Sequence, residues 1–452
     1  MLKELINYLE NKDIVILGFG REGKSMYNFI RKYFPTKKLW IADKNESLNN
    51  NEQLSKDANL KLILGDLYLN ELDRFDLIIK SPGISLKDID KSKIIDKITS
   101  QYELFLKFFE ECLTIGITGT KGKSTTSTLM YEVLKAQKND VKFLGNIGVP
   151  IFEVIEQITE NTIIVLELSS HALELAKKSP KISIMLNIFP EHLDYYNSYE
   201  DYAKAKFNIA RYQQNSDYFI YNMDNETIKN MEFNKKDNDI KVSINDKNPE
   251  KNKVYLDEFG IYLNGNKLMD SDIELNLKGI HNLNNVMFVL AVSEILNLDI
   301  NKTIDSIKNM KGLEHRLEYV GKVEDIYFYN DSISTVPEST IEGIKALKNV
   351  NTLIVGGNDR GLDLNLLVEF LKKSDIENIV CLSKTGEYIY NELQGCNKNI
   401  IKVAFLEDAV KISKKVTSKN TICLLSPAAS SYDQFKNFEE RGQKFKEYVL
   451  NS

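Results

Sequence analysis

Short β-branched runs alternate with helix-period stretches along most of the chain, the pattern of α/β domains with largely parallel sheets. The first section reads as a strand at 14–17, a helix over 24–33, and strands at 39–42 and 77–79. Each strand ends in Gly, Asp or Ser-Pro-Gly, at the end where open α/β sheets hold their ligands. A helical stretch over 102–110 leads into a strand at 113–118, followed by strands at 163–168 and 182–188 and a helix over 199–213. From 222 to 277 the pattern turns polar. Alternating runs at 254–256 and 261–263, with an Asn264-Gly265 turn signal, predict a small antiparallel excursion. Helical periods return at 282–296 and 302–310. The last section offers a hairpin-like pair, 316–320 and 326–329, then strands at 352–355, 379–382, 403–405 and 422–425 separated by helices.

Hydrophobic cores stop growing near about 250–300 residues, so a 452-residue chain divides into domains. The changes of pattern place three of them at 1–101, 102–311 and 312–452. The balance of 59 basic against 65 acidic side chains, a net charge of −6, argues against non-specific nucleic-acid binding, which needs a basic surface. No apolar run approaches the roughly 18–20 residues that span a bilayer, and the N-terminus has no signal-peptide pattern. Cys112, Cys381, Cys396 and Cys423 lack metal-type spacing. They read as reduced, structural thiols of a cytosolic protein.

Two glycine-rich loops carry the first chemistry. Gly18-Phe19-Gly20-Arg21-Glu22-Gly23 follows a strand and opens a helix, where glycines let the backbone approach a diphosphate and the helix start offers unpaired N–H groups. Asp43, at the end of the next strand, can receive donors from a ribose or a base. Taken alone, this loop fits a tight turn as well as a nucleotide site. The second loop, Gly119-Thr120-Lys121-Gly122-Lys123-Ser124-Thr125, stands between a strand and a helix in the order of a phosphate-binding loop. There Lys123 would reach the β- and γ-phosphates of ATP, Ser124 would ligate Mg²⁺, and loop N–H groups would wrap phosphate oxygens. The position five before Gly122 is Ile117 rather than the glycine of the general pattern.

Glu167 ends an otherwise apolar run, and a carboxylate there is costly unless paired or bound to metal. A salt-bridged core glutamate is the plainer alternative. The four histidines, His171, His192, His281 and His315, all fall in polar clusters at strand or helix ends.

In this order, the phosphate loop, Glu167-Leu168-Ser169-Ser170, Asn187…Glu191-His192-Leu193-Asp194, Lys204-Ala205-Lys206, His281-Asn282…Asn285, His315-Arg316, Asn330-Asp331-Ser332 and Gly356-Gly357 resemble the Mur ligases. Ser81-Pro82-Gly83, Gly145-Asn146-Ile147-Gly148, the run from Leu425 to Phe435 and Arg441-Gly442 are similar to the MurD type in particular. The resemblance implies a Rossmann-like N-terminal domain, a central domain like phosphate-loop ATPases, and a Rossmann-like C-terminal domain. It implies an ATP-dependent ligase that joins glutamate, D-glutamate by the usual pattern, to UDP-N-acetylmuramoyl-L-alanine through an acyl phosphate. The setting would be cytoplasmic peptidoglycan synthesis, and with it cell-wall biogenesis, cell shape and division, by a monomer that neither enters membranes nor binds nucleic acid.

For the site residues, the resemblance assigns catalysis to Lys123, Glu167, His192 and Lys206. Ser124 and Glu167 would hold one Mg²⁺, and His192 with a carbamylated Lys206 a second. ATP would lie among the loop residues Gly119 to Thr125, Asn282, Asn285, Arg316 and Asp331. The UDP substrate would meet Gly18, Gly20, Gly23, Asp43, Ser81, Asn146 and Ser169, and glutamate would meet Thr335, Arg360, Ser431 and Phe438.

Two positions depart from the pattern. Ile333 follows Asn-Asp-Ser where many MurD-type ligases have lysine, and Arg360 stands where a lysine is expected after Gly356-Gly357. Arginine offers a planar fork in place of a point charge. These departures resemble a subgroup that adds L-glutamate and relies on a separate epimerase, which keeps that reaction as an alternative. A nicotinamide-dependent oxidoreductase built on the first loop and Asp43 is another, and it leaves Lys123, Glu167 and His192 unexplained.

Overall fold

In the computed structural model, which describes residues 1–451 except 88, 147, 148, 193, 194, 278, 311, 313, 360 and 361, the apolar runs form three sheets. The chain divides into two compact units, Met1–Met310 and Lys311–Ser452. The first two sheets belong to the former and the third to the latter.

The first sheet is parallel, with β1 (Ile14–Leu17), β2 (Leu39–Asp43), β3 (Leu60–Leu64), β4 (Leu77–Lys80) and β5 (Ile98–Thr99) in the order β3-β2-β1-β4-β5. The order reverses between β1 and β4, so the crevice beyond their carboxyl ends is the natural ligand position. The helix after β1 runs Arg21–Tyr33 and buries Met26, Phe29 and Ile30 on one face. It starts three residues ahead of the predicted 24–33, because Arg21, Glu22 and Gly23 add no apolar periodicity.

The second sheet contains β6 (Leu113–Thr118), β7 (Val141–Gly145), β8 (Ile163–Glu167), β9 (Ile182–Met185), β10 (Tyr218–Asn222), β11 (Ile240–Ser243), β12 (Lys253–Leu256), β13 (Gly260–Leu263) and β14 (Asn266–Asp270). Its order is β14-β13-β12-β11-β10-β9-β6-β8-β7. The two runs at 254–256 and 261–263 pair antiparallel as expected, in β12 and β13, and the segment continues the sheet: β11 and β12 extend it in parallel, and β13 and β14 close its edge antiparallel. Asn264 and Gly265, at φ +53° and +82°, form the turn that joins β13 to β14. Successive positive φ values match the twist of a tight hairpin.

In the second unit, β15 (Glu318–Val323) and β16 (Ile326–Asn330) form the expected hairpin. They are followed by β17 (Val350–Gly356), β18 (Asn378–Leu382), β19 (Asn399–Val403) and β20 (Ile422–Leu425), in the order β15-β16-β20-β17-β18-β19. β19 precedes the predicted 403–405 because it is an edge strand: Phe405 is 62% exposed and lies outside it.

One hydrophobic core serves the first two sheets, joining Ile16, Met26 and Phe29 to Phe152, Leu166 and Met185. Phe29 meets Phe152 edge-on at 4.9 Å, and Lys32 and Tyr33 both bond to Glu156. This packing fixes the first glycine loop relative to the second sheet. All four cysteines are unpaired, and three are buried. Among the described residues no helix is long and apolar enough to cross a membrane.

Candidate active site

The phosphate loop leaves β6 and enters the helix Lys123–Lys135 at Gly122, whose φ of +85° favours glycine. Its shape is imposed from the loop after β9. Asn187 exchanges two bonds with Lys121 (Lys121 N–H to Oδ1, 2.8 Å; Nδ2 to Lys121 carbonyl, 2.9 Å), and its carbonyl accepts from Thr120 N–H. The Thr120 hydroxyl accepts from Phe189 N–H and meets the Tyr202 hydroxyl at 2.9 Å. The loop is therefore braced on both sides before any ligand arrives.

Lys123 Nζ donates to the carbonyls of Gly119 and Thr120, both at 2.9 Å. Lys206, on the helix Tyr199–Arg211, is 1% exposed and donates to the same Gly119 oxygen at 2.8 Å. Burial, and then the neighbouring Lys123 charge, hold its basicity well below that of an ordinary lysine. Ser124 is buried at the start of the helix. On the other side, Asn285 of the helix Ile280–Ile295 sits so close to Gly122 that an added Cβ would lie 2.9 Å from Oδ1. Asn282 is within 3.4 Å of Asn285. The predicted ATP contacts of the first unit are thus assembled around one loop.

Glu167 ends β8 and is 1% exposed. Neutral donors meet its oxygens: Asn146 Nδ2 at 3.0 Å and Ser127 Oγ at 3.2 Å. The adjoining Gly145 has φ +109°, and a Cβ there would come within 2.4 Å of the Glu167 carbonyl. His192 is half-exposed, with Nε2 3.8 Å from Glu191; its ring lies 4.7 Å from that of His171. Burial lowers the His171 pKa to about 4, so that imidazole is neutral near pH 7. No group of three or more His, Cys, Asp or Glu placed to hold a metal occurs among the described residues.

At the first loop, Gly18 (φ +91°) and Gly23 permit a tight return; a Cβ on Gly23 would lie 2.0 Å from the Gly18 carbonyl. Asp43 receives Phe19 N–H at 2.6 Å and Asn45 N–H at 2.8 Å, and Ser81 Oγ donates to the Gly18 carbonyl at 2.9 Å. Asp43 and Ser81 therefore shape the loop. Ser169 caps a short helix through Ala172 N–H. One cleft is lined by Glu22, Pro82, Asn146, Glu167 and Ser169, which brings the first loop's helix and the end of β8 to a common cavity. Burial pushes the Glu22 carboxyl up to about 7, with the Lys80 charge opposing.

In the second unit, Asp331 follows β16 and is 2% exposed. It accepts from Ser426 Oγ at 2.7 Å and Leu317 N–H at 3.2 Å, and burial raises its pKa to about 6 despite these donors and Arg316. Buried Arg441 bonds the Ser332 hydroxyl and carbonyl and the carbonyls of Ala429 and Ser430. It ties the Asp331 loop to the one carrying Ser431, which is 3% exposed. Phe438 starts the last helix and faces His315 at 6.3 Å, and Thr335 belongs to the same unit. Arg360 lies outside the described residues, as do Ile147, Gly148, Leu193 and Asp194.

The sequence reading overlooked Lys80, Tyr195 and Tyr202. Lys80 carried a usable signal, a lone ammonium at the end of an apolar strand; the two tyrosines carried none, since their partners are distant in the chain.

Known proteins resemble this chain in sequence and in fold. Residues 117–293 match the Mur ligase middle domain, and residues 12–100 the N-terminal domain of MurD-like Mur ligases. The chain is 32% identical to the UDP-N-acetylmuramoylalanine–D-glutamate ligase of Clostridium kluyveri, over 98% of this chain and 97% of that one. It is 35% identical to the protein of the same name from Clostridium acetobutylicum, over 99% and 98%. Two solved structures share the fold at low identity. They are the UDP-N-acetylmuramate-alanine ligase MurC of Thermotoga maritima (18% identity, TM-score 0.57, 97% and 99% covered) and the MurF ligase of the same organism in complex with ADP (17%, 0.53, 83% and 89%).

Proposed function

The chain belongs to the Mur ligase family, and from that premise we propose that it joins D-glutamate to UDP-N-acetylmuramoyl-L-alanine at the expense of ATP. The observation that carries this reading is the end-to-end identity with ligases named for that reaction. A carboxylate oxygen of the UDP substrate attacks the γ-phosphorus and the bond to the β-phosphate breaks, giving an acyl phosphate and ADP. The glutamate amine then attacks the acyl carbon, phosphate departs, and the nitrogen gives up a proton.

The loop residues suit this chemistry, because phosphoryl transfer needs positioning and charge compensation more than covalent catalysis. Lys123 offsets the charge that develops on the transferring group, and the bracing by Asn187 and Tyr202 holds the loop ready to receive phosphate oxygens. Arg316 and Asp331 would bind ATP from the second unit, and Thr335, Arg360, Ser431 and Phe438 would receive glutamate. Gly18, Gly20, Gly23, Asp43, Ser81, Asn146 and Ser169 would receive the UDP substrate.

The residues fit a hard divalent cation in part. Glu167 is a buried carboxylate met by neutral donors, and the Ser124 hydroxyl stands at the same loop. These are the oxygen ligands Mg²⁺ prefers. When bound, Mg²⁺ would neutralise negative charge on the phosphates. Lys206 as an amine offers no oxygen. Its depressed basicity favours the neutral form that can take up carbon dioxide, releasing a proton and leaving a carbamate; His192 would complete that second position. The proposed setting is the cytoplasm, with the chain acting as a monomer in peptidoglycan synthesis.

Incubation with ATP, Mg²⁺, UDP-N-acetylmuramoyl-L-alanine and D-glutamate should yield a product heavier than the UDP substrate by one glutamyl residue, with ADP in equal amount. ADP without that product would contradict the reading.

A further inference from the structure

His192 sits at φ +57°, in the left-handed region that few residues other than glycine adopt, histidine more often than most. The turn is closed by the backbone N–H groups of Tyr195 and Tyr196, which both donate to the His192 carbonyl, at 3.0 and 3.1 Å. Tyr195 is in turn anchored outside the second sheet. Its hydroxyl lies 2.9 Å from the Ile84 carbonyl and 3.0 Å from the Glu174 carboxylate, with Lys80 Nζ at 3.4 Å. Burial and the Glu174 charge keep this phenol protonated and therefore a donor.

Lys80 and Ile84 flank the Ser81-Pro82-Gly83 turn beyond β4. That turn touches the first glycine loop twice. Ser81 Oγ donates to the Gly18 carbonyl, and Ile84 packs so tightly that a Cβ on Gly18 would lie 2.8 Å from its side chain. On its opposite side the Tyr195 ring meets His171 edge-on at 4.2 Å, and His171 meets His192 at 4.7 Å. Tyr195 thus connects Ile84, which packs on the first glycine loop, to His171, whose ring meets that of His192. We propose that Tyr195 is a positioning residue that fixes His192 against the first sheet, so that the nucleotide-sugar end of the site and the phosphate-transfer end share one geometry. The proposal rests on the reading that His192 belongs to the catalytic centre.

The test is Tyr195→Phe in the full chain, which keeps the ring on His171 and removes only the hydroxyl. With four histidines in the sequence, the imidazole NMR signals can be assigned by single substitutions. In Tyr195→Phe the signals of His171 and His192 should both move, while those of His281 and His315 stay in place. In turnover, kcat should fall about tenfold or more, the range expected for misplacement of a catalytic group. The KM for the UDP substrate should remain within about twofold. Wild-type kcat, or a His192 signal that does not move, would overturn the proposal. Should the wild-type protein prove inactive with these substrates, the proposed reaction fails, and the imidazole spectrum still decides whether Tyr195 holds His192.

Discussion

The side-chain nitrogens of Lys123 and Lys206 converge on one oxygen, the Gly119 carbonyl, at 2.9 and 2.8 Å. Burial and the neighbouring Lys123 charge disfavour a second positive charge there, which holds the Lys206 amine toward its neutral form.

Lys123→Ala should lower kcat by about three orders of magnitude, as expected when a charge-compensating group in phosphoryl transfer is lost. Affinity for the UDP substrate, measured by calorimetry without ATP, should survive. Normal turnover by this variant would show that the loop does not hold the transferring phosphate.

Lys206 should carry a carbamate. Protein equilibrated with ¹³C-bicarbonate should show a carbamate carbon signal that is absent from Lys206→Ala. Acidification should diminish it, because a protonated amine cannot take up carbon dioxide. Activity should fall on removal of dissolved carbon dioxide and return with bicarbonate. A wild-type spectrum identical to that of the variant would argue against the modification.

Glu22 gives a pH signature for stability. Its carboxyl titrates at about 7 in the fold against an ordinary 4.5. Between those values the folded chain keeps a proton that the unfolded chain has released, so unfolding free energy falls as pH rises through the window. Glu22→Gln has no proton to lose. Its thermal midpoint should match wild type near about pH 4 and exceed it near about pH 8. Parallel midpoints across that range would contradict the burial of this carboxyl.

Arg441→Met should destabilise the second unit by about 2–4 kcal/mol, because the buried carbonyls of Ser332 and Ala429 lose their donor. Arg441→Lys should recover only part of this, since an ammonium cannot reproduce the planar fork. Urea unfolding followed by a probe in residues 312–451 measures both. Wild-type stability in the methionine variant would mean that the two loops are held by other contacts.

What was legible in the sequence follows from how local each signal is. The phosphate loop was readable because strand, glycines, Lys123 and helix are contiguous, and Glu167 because a charge at the end of an apolar run stands out. β7 and β19 were missed or displaced because they are half-exposed edges with weak alternation. In the polar segment after Asn222 the alternating runs of β12 and β13 were readable, whereas β11 and β14 were not. Tyr202 bracing Thr120, and Tyr195 reaching Ile84, join residues 82 and 111 positions apart. No local pattern encodes such pairs.

Phosphate release with ATP, Mg²⁺ and UDP-N-acetylmuramoyl-L-alanine, with D-glutamate and L-glutamate compared side by side, decides whether this chain is the proposed ligase. Release should require both the UDP substrate and glutamate and should be faster with D-glutamate. Faster release with L-glutamate would move the enzyme to the epimerase-dependent route and direct attention to Ile333 and Arg360. Release that does not depend on glutamate would contradict the ligase itself.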